Sequence, residues 1–398
     1  MKFADLPLHE NILKAIAEKG YTEPTPIQAG AIPVALQGRD VIGCAQTGTG
    51  KTAAFSIPTL DNLYKKKLQG NTKKGIKALI VTPTRELAIQ IDEQFSAYGK
   101  HTGLRHAVIF GGVKQFHQVK KIKAGLDILI ATPGRLLDLA GQGIVKLSSI
   151  EIFVLDEADR MLDMGFIHDI KKILKLIPVR RQSLFFSATM PDSITKLAST
   201  MLHKPKRIEV AAVSSAAETV TQKLYTTSKK DKRELLLQLL HGMDGESALV
   251  FTRTKHGANK LTKFINNAGF SAEAIHGNKT QNARQKALKN FKNKTTKVLV
   301  ATDIAARGID IAELPYVVNF EVPNVPETYV HRIGRTGRAQ NVGTALTLVD
   351  ESEQKFIQDI HRLIDKKIPV DESHLFHVPL RFQVRKTPRT RSGRRAGR

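Results

Sequence analysis

Along the chain, short uninterrupted runs of Val, Ile, Leu and Phe recur between segments whose apolar residues return every three or four positions. DVIGCA (40–45), ALIVTP (78–83), DILIATP (127–133), IFVLDE (152–157) and SLFFSAT (183–189) form a first series. ALVFTRT (248–254), KVLVATD (297–303), YVVNFEVP (316–323) and TALTLV (344–349) form a second. A strand apolar at every position is buried on both faces, as in a parallel sheet covered by helices. Between the runs, in ARQKALKNFK, Ala283, Ala287, Leu288 and Phe291 share one helical face. Strand–helix alternation predicts a doubly wound α/β fold. At 398 residues the chain exceeds one ordinary core, so two such domains are expected.

Residues 209–222, EVAAVSSAAETVTQ, are small, polar and weakly patterned. The reading is therefore a first domain over 1–210, a linker over 211–220 and a second domain over 221–370. A basic, disordered tail follows over 371–398; its last 18 residues, from Arg381, carry eight Lys or Arg. Polar, Gly-rich and charged clusters sit at the C-terminal ends of the apolar runs in both series: TGTGKT, TPTREL, TPGR, DEAD, SAT and TDIAARG. In a parallel sheet those ends share one edge, where open α/β folds bind ligands. Two such edges facing each other would make an interdomain cleft.

Composition narrows the partners. Lys and Arg number 62 against 37 Asp and Glu, a net charge of +25, which suits a polyanion such as nucleic acid, ribosome or anionic membrane. A generally basic, solubilising surface is the bland alternative. No apolar run approaches the ~18–20 residues of a membrane span, and MKFADLPLHE lacks a secretory run, so a cytoplasmic location without membrane contact is expected. Cys44, the only cysteine, excludes an internal disulfide and multi-cysteine zinc sites; in DVIGCA it reads as a small core residue.

AQTGTGKT (45–52) leaves a strand-like run and enters a helix-like one. Gly48 and Gly50 let backbone N–H groups curl around phosphate oxygens, Lys51 brings charge to the β- and γ-phosphates, and Thr52 offers Mg²⁺ a hydroxyl. Ala45 stands where the usual pattern has Gly. In VLDEAD (154–159), Asp156 can hold Mg²⁺ or its water shell, and Glu157 can orient and deprotonate an attacking water. An acidic helix N-terminus is the bland alternative for either acid alone.

AQTGTGKT, DEAD, SAT (187–189) and HRIGRTGR (331–338) resemble motifs I, II, III and VI of the DEAD-box ATP-dependent RNA helicases. GYTEPTPIQ (20–28), with Phe3 upstream, resembles the Q motif; PTRELA (83–88), Gly111–Gly112 and TPGR (132–135) resemble motifs Ia, GG and Ib. VFTRT (250–254), HGNKTQNAR (276–284) and TDIAARGID (302–310) resemble motifs IV, IVa and V, so the resemblance covers about residues 3–350 in the family's order.

The resemblance implies two RecA-like domains, ATP and Mg²⁺ as cofactors, and RNA as partner. It implies that Gln28 reads the adenine edge and Tyr21 stacks on the ring. Thr47, Gly48, Thr49, Gly50, Lys51 and Thr52 would cradle the phosphates, and Asp303 would contact the nucleotide. Arg335 and Arg338 resemble arginine fingers for the γ-phosphate. Ser187, Thr189 and His331 would couple nucleotide state to closure, a helix N-cap being the plain alternative for the Ser–Thr pair. RNA contacts would come from Arg85, Gly111, Gly112, Thr132 and Arg135 in the first domain. Arg253, Gly277, Thr302 and Arg307 would supply them in the second. Such groups suit phosphates and riboses rather than base edges, so binding is expected to be sequence-independent and salt-sensitive. A monomer serving ribosomal or RNA-decay complexes is expected. MLDMGFIHDI after DEAD resembles the bacterial RhlE-type branch. The activity the resemblance implies is ATP-driven local unwinding of RNA duplexes or RNP remodelling; the rival readings are an ATP-gated RNA-binding clamp or scaffold with little unwinding, and a DNA helicase.

Overall fold

The computed structural model describes residues 1–46, 48–70, 74–210, 220–306, 314–337 and 343–380. Strands β1 (Val41–Cys44), β2 (Ala78–Val81), β3 (His106–Ile109), β4 (Ile128–Ala131), β5 (Ile152–Leu155), β6 (Gln182–Ser187) and β7 (Lys206–Glu209) form one sheet, ordered β3-β4-β2-β5-β6-β1-β7. Every pairing in it is parallel. The central strands β2, β4 and β5 are buried at each position, as their unbroken apolar runs require. Alternate side chains feed two separate cores. Ile80, Ile130 and Val154 face one with Phe55 and Phe186; Leu79, Leu129 and Phe153 face the other with Ile170 and Ile194. The Phe55 and Phe186 rings, 5.4 Å apart, anchor the first of these cores, each such buried side chain contributing about 1.5–3 kcal/mol.

A second unit is built on β8 (Val220–Thr226), β9 (Ala248–Thr252), β10 (Ala272–Ile275), β11 (Val298–Thr302), β12 (Tyr316–Asn319) and β13 (Gly343–Val349). Its order is β10-β11-β9-β12-β13-β8, again wholly parallel. Leu235, Val250, Ile265, Val300 and Leu348 pack in its core. The two units are thus both doubly wound parallel sheets, as the alternation predicts.

Two boundaries differ from the sequence reading. Val220, the last residue assigned to the linker, opens β8, and Gln222 and Leu224 behind it are buried; 211–219 lie outside the described residues. The sequence places the tail from 371, yet the chain from Pro369 to Val378 is bonded to β8. Leu224 N–H donates to Pro369 O at 2.9 Å, Asp371 N–H to Leu224 O at 2.8 Å, and Val378 N–H to Thr226 O at 3.1 Å. The Asp371 carboxylate accepts from Ser373 Oγ at 2.5 Å, Lys223 Nζ at 3.0 Å and Ser373 N–H at 3.1 Å, the hydroxyl first among the groups that hold it well below the usual carboxylate range. An edge strand left with unpaired backbone groups recruits this segment regardless of its polarity. The basic stretch from Arg381 lies outside the described residues.

Candidate functional site

Parallel strands in register bring their C-terminal ends level. Cys44 lies beside Ser187, Leu155 beside Phe185 and Val81, and Ala131 beside Val81 and Ile109. The strand order therefore divides one edge of the first sheet in two. The adjacent strands β1, β6 and β5 carry the phosphate loop, Ser187–Thr189 and Asp156–Asp159. The adjacent strands β2, β4 and β3 carry Arg85, Thr132–Arg135 and Gly111–Gly112.

In the first half, Tyr21, Thr25, Gln28, Gly50, Lys51 and Asp156 are among the residues lining a cavity of about 380 Å³. Gly48, Thr52 and Glu157 line it too, and Thr47 falls outside the described residues. Gly50 caps the helix Lys51–Leu68 at φ +91°; a Cβ there would lie 2.3 Å from Gln28 Nε2. Only glycine meets both conditions. Thr25 Oγ1 donates to Thr49 O at 2.8 Å, and Gln28 Nε2 to Gly50 O at 3.1 Å, tying the Q-motif residues to the loop. Gln28 Oε1 accepts from Thr25 N–H at 3.0 Å, so one lone pair and one N–H of the amide remain for an adenine edge. Tyr21, 49% exposed, presents its ring at the mouth, while Phe3 is buried in the core with its N–H on Thr22 O at 3.0 Å.

The residues fit a triphosphate and a divalent cation. Gln46 Nε2 is buried in the loop without a hydrogen-bond partner, and Lys51 Nζ turns back onto Ala45 O at 2.6 Å. Backbone N–H groups at the start of an 18-residue helix add an anion-binding end. Burial, with Glu157 alongside, raises the Asp156 carboxyl well above its ordinary range, and the opposing pull of Lys51 does not offset it. A buried acid so poorly compensated suits a cation. Among the described residues there is no cluster of three or more His, Cys, Asp or Glu that could hold a metal ion.

Glu157 sits in the left-handed region at φ 55°, which turns the chain sharply after β5. Its carboxylate receives Arg160 Nη1 at 2.8 and 2.7 Å, and both residues are buried. Asp159 Oδ2 accepts Ala188 N–H at 3.1 Å, Thr189 N–H at 2.9 Å and Thr189 Oγ1 at 3.1 Å. Ser187 Oγ accepts Asp159 N–H at 3.2 Å and donates to Thr189 O at 2.7 Å. The Ser–Thr pair is thus fastened to the acidic loop; neither caps the helix Asp192–Met201, whose N-cap is Pro191. Sequence reasoning gave Asp159 and Arg160 no role.

In the second half of the edge, the Arg85 guanidinium lies over the Gly111–Gly112 turn. A Cβ on Gly112, at φ +77°, would fall 2.2 Å from Arg85 Nη1. Arg135 Nη2 donates to Val113 O at 3.1 Å and its Nη1 to Gln118 Oε1 at 3.3 Å. Gln118, missed by sequence reasoning, accepts Phe110 N–H at 3.3 Å and donates to Phe110 O at 3.1 Å. Thr132 N-caps the helix Pro133–Gly141 and anchors its N–H on Ile109 O at 3.1 Å. Arg85, Gly111, Thr132 and Arg135 line one concavity.

The second unit places Thr302, Asp303 and Arg253 at the ends of its own strands. Thr302 closes β11, and Asp303 behind it receives Arg332 Nε at 2.6 Å and Nη2 at 2.8 Å. Arg332, 2% exposed, also donates to Asn319 Oδ1 and Glu321 O and lies 4.9 Å from the Phe251 ring centroid. Arg253 follows β9 and gives Nη2 to Glu353 Oε1 at 3.1 Å, an acid that also pairs with buried Lys232. Arg335 is buried just past the helix Pro326–Ile333, which carries His331. A Cβ on Gly277 would meet open space. Arg307 and Arg338 lie outside the described residues.

Comparison with known proteins bears on the chain as a whole. The DEAD/DEAH box helicase family model matches residues 25–197, and the helicase conserved C-terminal domain model matches 231–340. The chain is 43% identical over 368 residues to the DEAD-box ATP-dependent RNA helicase CshA of Streptococcus pneumoniae, covering 92% of this chain and 69% of that one. It is 38% identical to a DEAD box protein from Methanococcus jannaschii, with TM-score 0.54 and 93% and 99% coverage of the two chains. It is 31% identical to S. cerevisiae Dbp5 bound to RNA and ADP BeF3, with TM-score 0.79 and 92% and 95% coverage. None of these three carries an RhlE name, so the finer subfamily expectation gains no support from them.

Proposed function

The chain belongs to the DEAD-box family of ATP-dependent RNA helicases, and on that premise we propose that it uses ATP to grip RNA by its backbone and separate short duplexes locally. The observation that carries the reading is the shared edge of the first sheet: phosphate loop and acids on β1, β6 and β5, strand-gripping loops on β2, β4 and β3. Asp156 N–H donates to Val81 O at 3.0 Å, so the β2–β5 ladder that joins the two halves runs up to the acid itself.

In this reading Gln28 and Tyr21 take the adenine, and residues 47–52 take the phosphates. Glu157 receives a proton from the attacking water, and Arg335 with Arg338 answers the charge that develops on the terminal phosphate. Mg²⁺, held by Thr52 and by Asp156 through water, would neutralise phosphate charge. Arg85, Gly111, Gly112, Thr132 and Arg135 contact phosphate and ribose; Thr302, Gly277, Arg307 and Arg253 are the second domain's contribution. For Arg253 this requires its guanidinium to leave Glu353. We assign residues 1–210 and 220–380 to these two shares. The setting we assign is a monomer in the cytoplasm, serving ribosome assembly or RNA decay. No described helix is long and apolar enough to cross a membrane.

The test is hydrolysis stimulated by RNA and not by DNA of the same sequence, together with displacement of a strand from a short RNA duplex. Equal stimulation by DNA would return the DNA-helicase reading. Hydrolysis with lasting RNA retention and no displacement would favour the clamp.

A further inference from the structure

The helix Phe116–Lys123 follows the Gly111–Gly112 turn after Val113, Lys114 and Gln115. Its inner face is fixed. Gln118, 8% exposed, bonds the N–H and the carbonyl of Phe110 and receives Arg135. The helix is therefore held in register with two loops assigned to RNA.

Its outer face has an uncommon composition. Phe116 is 69% exposed, its ring edge-on to His117 with centroids 5.4 Å apart. Phe116, Lys120 and Lys123 fall on one stripe, and His117 and Lys121 on the next. Lys114, Lys120, Lys121 and Lys123 are all exposed, and no Asp or Glu occurs between Glu93 and Asp127. An exposed helix facing only water is expected to mix both signs of charge and to keep aromatic rings inside. Cations around a bare ring match single-stranded nucleic acid, whose bases stack while its phosphates seek charge. Charge complementarity thus selects the partner that the neighbouring loops already address.

We propose that this outer face is a further RNA-binding site. In it Phe116 stacks on an unpaired base of the strand running past Gly112, and the four lysines meet the adjoining phosphates. The inference rests on the RNA-helicase reading and lengthens its RNA path beyond Arg85, Arg135 and the two glycines. It also supplies a base-stacking element that the low aromatic content, 6%, otherwise argues against.

The chain has no tryptophan, so Phe116→Trp installs a single reporter. Its fluorescence is expected to fall when single-stranded RNA is added to the full-length protein, in the presence of a non-hydrolysable ATP analogue. Phe116→Ala is expected to weaken binding of that RNA about tenfold. Lys120→Gln with Lys121→Gln is expected to reduce the salt slope by about 0.7 per lost contact. If RNA binds at wild-type affinity to all three variants and the fluorescence does not move, the site is overturned while the helicase reading stands. If the unaltered protein neither binds RNA nor hydrolyses ATP faster with it, the parent reading falls and this site with it.

Discussion

Asp159 Oδ2 accepts both the backbone N–H and the hydroxyl of Thr189, at 2.9 and 3.1 Å, so one carboxylate oxygen sets the position of the loop after β6. Its other oxygen accepts Arg160 N–H at 3.0 Å. An asparagine amide in its place would aim a donor at donors in either orientation. Asp159→Asn is expected to cost about 1–3 kcal/mol of stability, read by urea unfolding. It should also lower strand displacement more than ATP affinity. Displacement at wild-type rate would separate this loop from the coupling role.

Glu157→Gln keeps one acceptor for Arg160 but no longer takes a proton. ATP affinity is expected to stay within a few-fold, and turnover to drop by ~10²–10⁴. A kcat close to wild type would remove Glu157 from water activation.

Gly50→Ala would strain the backbone at φ +91° and drive a methyl into Gln28. Calorimetric titration with an ATP analogue is expected to show affinity at least tenfold weaker, matching a left-handed penalty of roughly 1–2 kcal/mol plus the displaced amide. Gly277→Ala, whose added carbon meets nothing within 4 Å, is expected to melt like the unaltered protein. Unchanged ATP binding in Gly50→Ala would mean the cradle lies elsewhere.

Arg332 is buried against Asp303, Asn319 and the Phe251 ring. Removing it takes the donor from Asp303, whose carboxylate is 24% exposed, and from the buried Asn319 amide oxygen, so Arg332→Ala is expected to cost about 1–3 kcal/mol, seen as early unfolding of the second unit. Arg332→Lys should recover little, since an ammonium cannot match both carboxylate oxygens while keeping the other contacts. A loss below about 1 kcal/mol would show that the cluster contributes little.

Deleting 381–398 removes eight Lys or Arg. RNA affinity is expected to weaken and its salt dependence to flatten, with about 0.7 of slope lost for each phosphate contact forfeited. An unchanged slope would dismiss this stretch as an RNA anchor.

What the sequence showed, and what it hid, follows burial. All nine apolar runs correspond to inner strands, each flanked on both sides by a neighbour. The strands it did not reveal are β3, β7, β10 and β8, which are the four sheet edges. Edge strands bury fewer positions, so KRIE and VTQKLYT carry polar residues and lose the signal. The phosphate loop and Asp156–Glu157 were visible because their chemistry is local, written within a few residues after a strand. Asp159, Gln118 and Arg332 were not, because their partners stand 30, 17 and 29 residues away. In HRIGRTGR nothing local tells that Arg332 and Arg335 are both buried, the first within its helix and the second in the turn after Ile333.

The alternation of β5 between two cores has a further consequence. Ile152 and Val154 are locked on one side and Phe153 and Leu155 on the other, and Asp156, the acid proposed to hold the cation, is simply the next residue. One inserted residue in that strand would exchange the sides of everything after it and lift Asp156 off the rim. Loops leaving this edge can be lengthened or traded, but the spacing within the strand works as a ruler, and the position of the chemistry is counted off in apolar side chains.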